Sequence, residues 1–184
     1  MTEKIKSLHS IELQTPDLVT TCAFYRNVWG LEEVAAADGV HYFRGTSDLH
    51  HILTLRSGAE PAVVSVNFLT DGRDSVDQLQ QNLCKYLGRE ITAPTELTTP
   101  GGGYGFTFKD IIQRNIQIMA GVEEHIEAQD IAGRSQKLTH VIFNSDGSEP
   151  SSNFYQDVLG FKLTDFTKGL DFLRCDKSHH SIGI

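Results

Sequence analysis

The chain has 184 residues, 39% hydrophobic and 22% charged, and is long enough to bury a core without disulfide or metal staples. Its formal net charge of −8, with no basic stripe along the sequence, argues against nucleic acid as a partner. Three widely spaced cysteines (Cys22, Cys84, Cys175) without a Cys-x-x-Cys pair exclude a disulfide framework and a zinc knuckle and suit a reducing cytoplasm. No apolar run of ~20 residues and no apolar leader before the first strand point to membrane insertion or secretion, so a cytoplasmic protein is expected.

Residues 7–14 alternate as a strand, which sets His9, Ile11 and Leu13 on one face. Thr15-Pro16-Asp17 ends it, and Asp17 is suited to cap a helix over residues 18–29, closed by Gly30. Residues 31–37, 40–44 and 52–55 read as short strands, with Asp38-Gly39 as a hairpin turn. The order is β-α-β-β-β.

Residues 62–69 begin the pattern again. A polar lead at 71–74 enters a helix over 75–87 that Gly88 stops, and strands over 91–97, 103–109 and 115–120 follow. Residues 123–136 are charged, without a period, and read as a linker with a short helical piece. From Lys137 a third unit runs: a strand over 138–142, a polar connection over 144–150, a helix over 151–159 capped by Ser151 or Ser152 and closed by Gly160, and strands over 161–166, 170–175 and 180–184.

The third unit repeats the first. His9 matches His140, Phe24-Tyr25 matches Phe154-Tyr155, Arg44 matches Arg174, and His50-His51 matches His179-His180. The spacing drifts from 131 through 130 to 129 residues, as insertions fall in connections rather than in elements. One such unit cannot bury both faces of its sheet, so units should pair. Units one and two are expected to form one domain over residues 1–122. Residues 137–184 are expected to be half of a second, awaiting either more polypeptide or another copy of the chain. The unpaired sheet edge favours homo-oligomers.

Repeated βαβββ units with a histidine in the first strand, and the run Phe-Tyr-x-x-Val-x-Gly-Phe/Leu, resemble the vicinal oxygen chelate superfamily of glyoxalases, bleomycin-resistance proteins and dioxygenases. The resemblance implies an α+β fold in which βαβββ modules pair into a curved mixed sheet. The order of parts, with a linker and then a strand histidine and a later His-His-Ser-Ile-Gly-Ile segment, is most similar to type I extradiol ring-cleaving dioxygenases. Those have four units and hold iron in the last two.

That resemblance implies Fe(II), with Mn(II) as the alternative, and a catechol-type diol and O2 as substrates. It implies that His140 is one of three metal ligands, the other two coming from a fourth unit, and that His180 is the acid–base group. On a single strand His179 and His180 would face opposite ways, so only one would enter the cavity. His140 must then face the hollow of its sheet. Read without the resemblance, His140 is a core histidine and the pair is an exposed strand end.

His9 has no complementary acid: Glu12 is on the opposite face, Ser65 stands where unit two would need a histidine, and residues 115–119 contain no carboxylate. A metal site there is read as vestigial. Gly101-Gly102-Gly103-Tyr104-Gly105 lacks the strand–loop–helix order and Lys-Ser/Thr of a phosphate loop and reads as a loop before a strand. Arg44 and Arg174 read as packing or edge residues, and Cys175 as a small buried one. The rival readings are a glyoxalase-type metal-dependent isomerase or lyase, which would need a glutamate on a last strand of the first two units, and a metal-free small-molecule (drug) binding protein.

Overall fold

The computed structural model describes residues 4–126, 130–144 and 150–184. The first unit contains β1 (Ser7–Thr15), α1 (Leu18–Asn27), β2 (Glu32–Ala37), β3 (Val40–Arg44) and β4 (Leu53–Ser57). The second contains β5 (Ala62–Leu69), α2 (Arg73–Leu87), β6 (Thr95–Glu96), β7 (Tyr104–Lys109) and β8 (Asn115–Ala120). The third contains β9 (Val141–Ile142), α3 (Pro150–Asp157), β10 (Lys162–Thr167), β11 (Leu170–Arg174) and β12 (Ile182–Gly183). This is an α+β fold of repeated βαβββ modules.

Two mixed sheets result. The larger has the order β2-β3-β4-β1-β5-β8-β7-β6, in which β1 lies parallel to β4 and antiparallel to β5, and β5 lies parallel to β8. The smaller has the order β10-β11-β12-β9, with β12 parallel to β9. No helix among the described residues is long and apolar enough to cross a membrane.

Local chemistry explains most boundaries. Asp17 Oδ1 accepts the Thr20 N–H at 3.0 Å, a cap worth ~1 kcal/mol. Helix α1 stops at Asn27, two residues short of expectation. The Val28 N–H bonds to the Phe24 carbonyl and the Leu31 N–H to the Tyr25 carbonyl across Gly30 at φ +66°. The third unit closes α3 identically: Val158 bonds to Phe154 and Phe161 to Tyr155 across Gly160 at φ +74°. The left-handed conformation is why glycine occupies both positions. Trp29 lies beyond the helix and is half-exposed.

Several expected elements differ. Strand β6 is only Thr95–Glu96, because Pro94 offers no ladder donor and constrains the residue before it. Helix α3 begins at Pro150, a favoured first helical residue, so Ser151 and Ser152 are buried inside its first turn rather than capping it. The expected connection over 144–150 falls mostly on residues 145–149, outside the described residues. The described part of the linker holds no helix; it runs along the loop after β3. There the Thr46 and Ser47 N–H groups donate to the Ser135 and Gln136 carbonyls, and the His125 N–H to the Asp48 carbonyl.

The third unit does not stand apart. Phe154, Tyr155, Leu159, Phe161 and Leu173 share one apolar core with Phe68, Leu79, Leu83, Phe108 and Ile118 of the second unit. The Ile5 N–H also donates to the Leu159 carbonyl, so the segment entering β1 is tied to the end of α3.

Candidate functional site

Strand β9 is two residues long and, among the described residues, pairs only with β12, which is itself only Ile182–Gly183; its counterpart β1 is nine residues long and paired on both sides. His140 and His180 are therefore not on strands. His140 immediately precedes β9 and His180 lies two residues before β12; the strands run parallel with Val141 opposite Ile182, and the Val141 N–H donates to the Ser181 carbonyl, which brings the two histidines close. Their ring centroids are 4.5 Å apart.

Phe172 of β11 lies 4.8 Å from the His180 ring and 5.8 Å from the His179 ring. His179 and His180 do not face opposite ways. They sit in a bend rather than a strand, and their Nδ1 atoms approach to 3.0 Å, where one ring donates and the other accepts. Thr139 Oγ1 is 3.2 Å from His140 Nδ1. Burial, and then the neighbouring His140 and His179, lower the pKa of His180.

The first unit holds a copy of this cluster. His9 and His51 rings are 4.8 Å apart, Tyr42 replaces Phe172 at 5.1 Å from His51, and the Nδ1 atoms of His50 and His51 meet at 3.0 Å. The copies differ in what covers them. His9 is fully buried, because β5 closes the outer edge of β1 and His125 stacks on His50. His140 is exposed and His180 partly so, because nothing among the described residues pairs with the outer edge of β9.

His9 is also the extra residue of a β-bulge: Leu8 faces Phe68 and Ser10 faces Asn67, leaving His9 unpaired between them. Its Nδ1 bonds to Ser10 Oγ at 2.8 Å, Asn67 Nδ2 donates to that hydroxyl, and its Nε2 has no partner among the described residues. Burial, then His50, lowers the His9 pKa to about 4; burial, then His9 and His50, lowers His51 to about 3. Both are neutral imidazoles at ordinary pH.

The remaining residues singled out from sequence have quieter roles. Gly101, Gly102 and Gly103 all have positive φ and lead into β7; a Cβ on Gly101 would meet the His50 ring. Arg44 donates from Nε and Nη2 to the Gly45 and Ser47 carbonyls. Cys175 donates to Ser181 Oγ at 3.2 Å, and burial holds its thiol up at about 11. Sequence reasoning missed the aromatic partner of each histidine cluster; the matched positions of Tyr42 and Phe172, each two residues before its repeated arginine, were its available signal.

His140 and His180 offer two imidazoles without a carboxylate. No group of three or more His, Cys, Asp or Glu among the described residues is arranged to hold a metal ion. The donors present fit part of a 2-His-1-carboxylate set, not the whole.

A profile of the glyoxalase/bleomycin resistance protein/dioxygenase superfamily matches residues 7–111. The chain is 25% identical to biphenyl-2,3-diol 1,2-dioxygenase of Metapseudomonas furukawaii, covering 98% of this chain and 65% of that protein. It is similar to the Mn(II)-bound glyoxalase from Novosphingobium aromaticivorans, with a TM-score of 0.93, 30% identity, and coverage of 98% of this chain and 62% of the other. It also resembles in fold a variant of homoprotocatechuate 2,3-dioxygenase from Brevibacterium fuscum, with a TM-score of 0.82, 19% identity, and coverage of 99% and 54%. The chain thus spans less than two thirds of the length of these relatives.

Proposed function

The chain belongs to the glyoxalase/bleomycin resistance protein/dioxygenase superfamily, and from that premise we propose that it forms part of an extradiol ring-cleaving dioxygenase, which opens a catechol-type ring with O2 at Fe(II). Residues 1–122 are its N-terminal domain, 123–136 a linker, and 137–184 half of the domain that carries the site. The observation that carries this reading is the pairing of His140 with His180 at 4.5 Å beside the edge strand β9 of the second sheet. The likeness to a biphenyl-2,3-diol dioxygenase supports it.

In this reading His140 supplies one imidazole ligand, and the other donors lie outside residues 137–184, on further polypeptide or on a second copy. With the set completed, a bound iron would supply electron-transfer chemistry between the diol and O2. The protein's own part is proton handling. His180 Nδ1 is occupied by His179, which fixes the ring and leaves Nε2 to take the diol proton. Phe172 against the His180 ring limits its rotation. Without the missing donors, residues 1–184 alone bind iron weakly and cleave no catechol.

A second reading is a glyoxalase-type isomerase using Mn(II); the 30% identity to the Novosphingobium aromaticivorans glyoxalase favours it. Metal analysis of the assembled protein, followed by ring-cleavage assays on catechol and biphenyl-2,3-diol, separates the two. Bound iron with coloured ring-cleavage product supports the dioxygenase. Bound manganese without ring cleavage overturns it.

A further inference from the structure

Six of the sixteen lysines and arginines of this acidic chain line a single cleft of about 750 Å3: Lys4, Lys6, Lys137, Lys162, Arg174 and Lys177. They come from the segment entering β1 and from the third unit, beginning with its first residue Lys137, so the cleft lies at the seam of the two. Two carboxylates also line it. Asp71 is paired with Lys6 at 3.1 Å, and Asp176 accepts the Ser178 N–H at 2.7 Å with Lys137 at 3.7 Å. Lys4, Lys162, Arg174 and Lys177 form no ion pair among the described residues.

The repeat provides an internal comparison. Gly30, Glu32, Arg44, Gly45 and Thr46 of the first unit line a cavity of about 260 Å3, and their counterparts 130 residues later are Gly160, Lys162, Arg174, Cys175 and Asp176 of the cleft. In the first unit an acid, Glu32, stands where the third has Lys162, and Arg44 spends its donors on the Gly45 and Ser47 carbonyls. Arg134 of the linker also lines the first cavity, so the same corner of the same module is small with two cations against one acid in one copy, and wide with six cations against two acids in the other. General surface charge does not account for this, because the chain as a whole carries −8.

We propose that this cleft binds a small polyanion carrying at least two phosphate or carboxylate groups, at a site separate from His140 and His180. Concentrated like charge in a concave, low-dielectric surface raises the local concentration of counter-ions. Arg174 offers a planar fork for one oxyanion while the lysines neutralise a second. The volume is within the range of small-ligand pockets. Because the cleft joins the entry to β1 with Lys137 and β10–β11 of the third unit, an occupant holds these segments together and raises the melting temperature.

The test is titration calorimetry of the 184-residue chain with inorganic pyrophosphate and with citrate, at about 20 and about 150 mM ionic strength. Saturable binding of one anion per chain is expected, and whichever probe binds more tightly identifies phosphate or carboxylate as the preferred group. Lys162→Glu, which installs the acid of the first unit, and Arg174→Gln should each weaken binding roughly tenfold. Lys85→Glu, on α2 and outside the cleft, should leave it unchanged. Melting temperatures without anion report that each variant is folded. The proposal is overturned by absence of saturable binding, by equal weakening in Lys85→Glu, or by tighter Lys162-dependent binding of duplex DNA or anionic vesicles than of either small anion.

Discussion

The hydroxyl of Tyr155 donates to Asp110 Oδ2 at 3.1 Å, with both side chains fully buried, and so joins the third unit to the second. Asp110 also accepts Arg114 Nε at 2.7 Å and the N–H groups of Ile112 and Arg114, and the Arg114 guanidinium lies 4.2 Å from the Phe143 ring centroid. A buried ion pair of the second unit is thereby contacted by an α3 phenol and by the aromatic residue after β9. Burial, and then the Asp110 charge, keep the Tyr155 hydroxyl protonated and donating.

Tyr155→Phe should therefore lower stability by about 1–2 kcal/mol, the loss of a hydrogen bond to a charged group. Asp110→Ala should cost about 3–5 kcal/mol, because it leaves the largely buried Arg114 without its counter-ion. Urea midpoints of the two variants check both figures. A Tyr155→Phe variant as stable as the parent would show that the bond only orients the third unit.

Stability should fall as pH drops below about 6.5. His9 and His51 have folded values of about 4 and about 3, below the 6.5 of an unperturbed histidine. Between those values the unfolded chain binds protons that the folded one refuses, so the stability is present above 6.5 and lost as pH falls toward the folded values. For His9 the full loss is on the order of 3 kcal/mol. The two rings oppose each other's charge, so in the folded state charging the second costs more than charging the first. Melting temperatures across this range should drop in the parent and drop less in His9→Gln/His51→Gln, the carboxylates being common to both.

Features built from neighbouring residues were legible in the sequence. Phe24-Tyr25 with Gly30-Leu31, and Phe154-Tyr155 with Gly160-Phe161, specify both a helix and its closing bonds, since every partner lies within six residues. The repeat likewise led from His9 to His140. Strand extent was less legible: β9 covers only Val141–Ile142 and β12 only Ile182–Gly183, which leaves His140 and His180 outside their expected strands. The contact between His179 and His180 follows from that displacement. Long-range partnerships left no trace. Nothing near Asp110 announces Tyr155, and the six cations of the cleft are scattered from position 4 to position 177.

Gly45→Ala should detach the linker from the first unit. A Cβ there would fall on the Gln136 carbonyl, and a backbone oxygen cannot swing aside as a side chain can. The bonds from Thr46 and Ser47 to the Ser135 and Gln136 carbonyls would be given up, at about 1–3 kcal/mol. Faster tryptic cleavage at the exposed Arg134, with a lower melting temperature, is the expected pair of readings. Unchanged cleavage would mean that the segment shifts while remaining docked.

The twin histidine clusters make opposite predictions for equivalent substitutions. In the assembled enzyme, His140→Ala should abolish stoichiometric iron together with ring cleavage, since the reading gives this imidazole directly to the metal. His180→Gln should retain iron and lose about 10²–10⁴-fold in kcat, the usual size of an acid–base contribution. His9→Ala should leave both iron and cleavage intact and instead lower stability by about 1–3 kcal/mol, because its ring fills a closed core. Iron content, catechol turnover and urea midpoint on the three variants read these out independently. Loss of iron in His9→Ala with retention in His140→Ala would move the working centre to the first unit, where β5 already covers the cluster and where the described residues present no carboxylate to complete it.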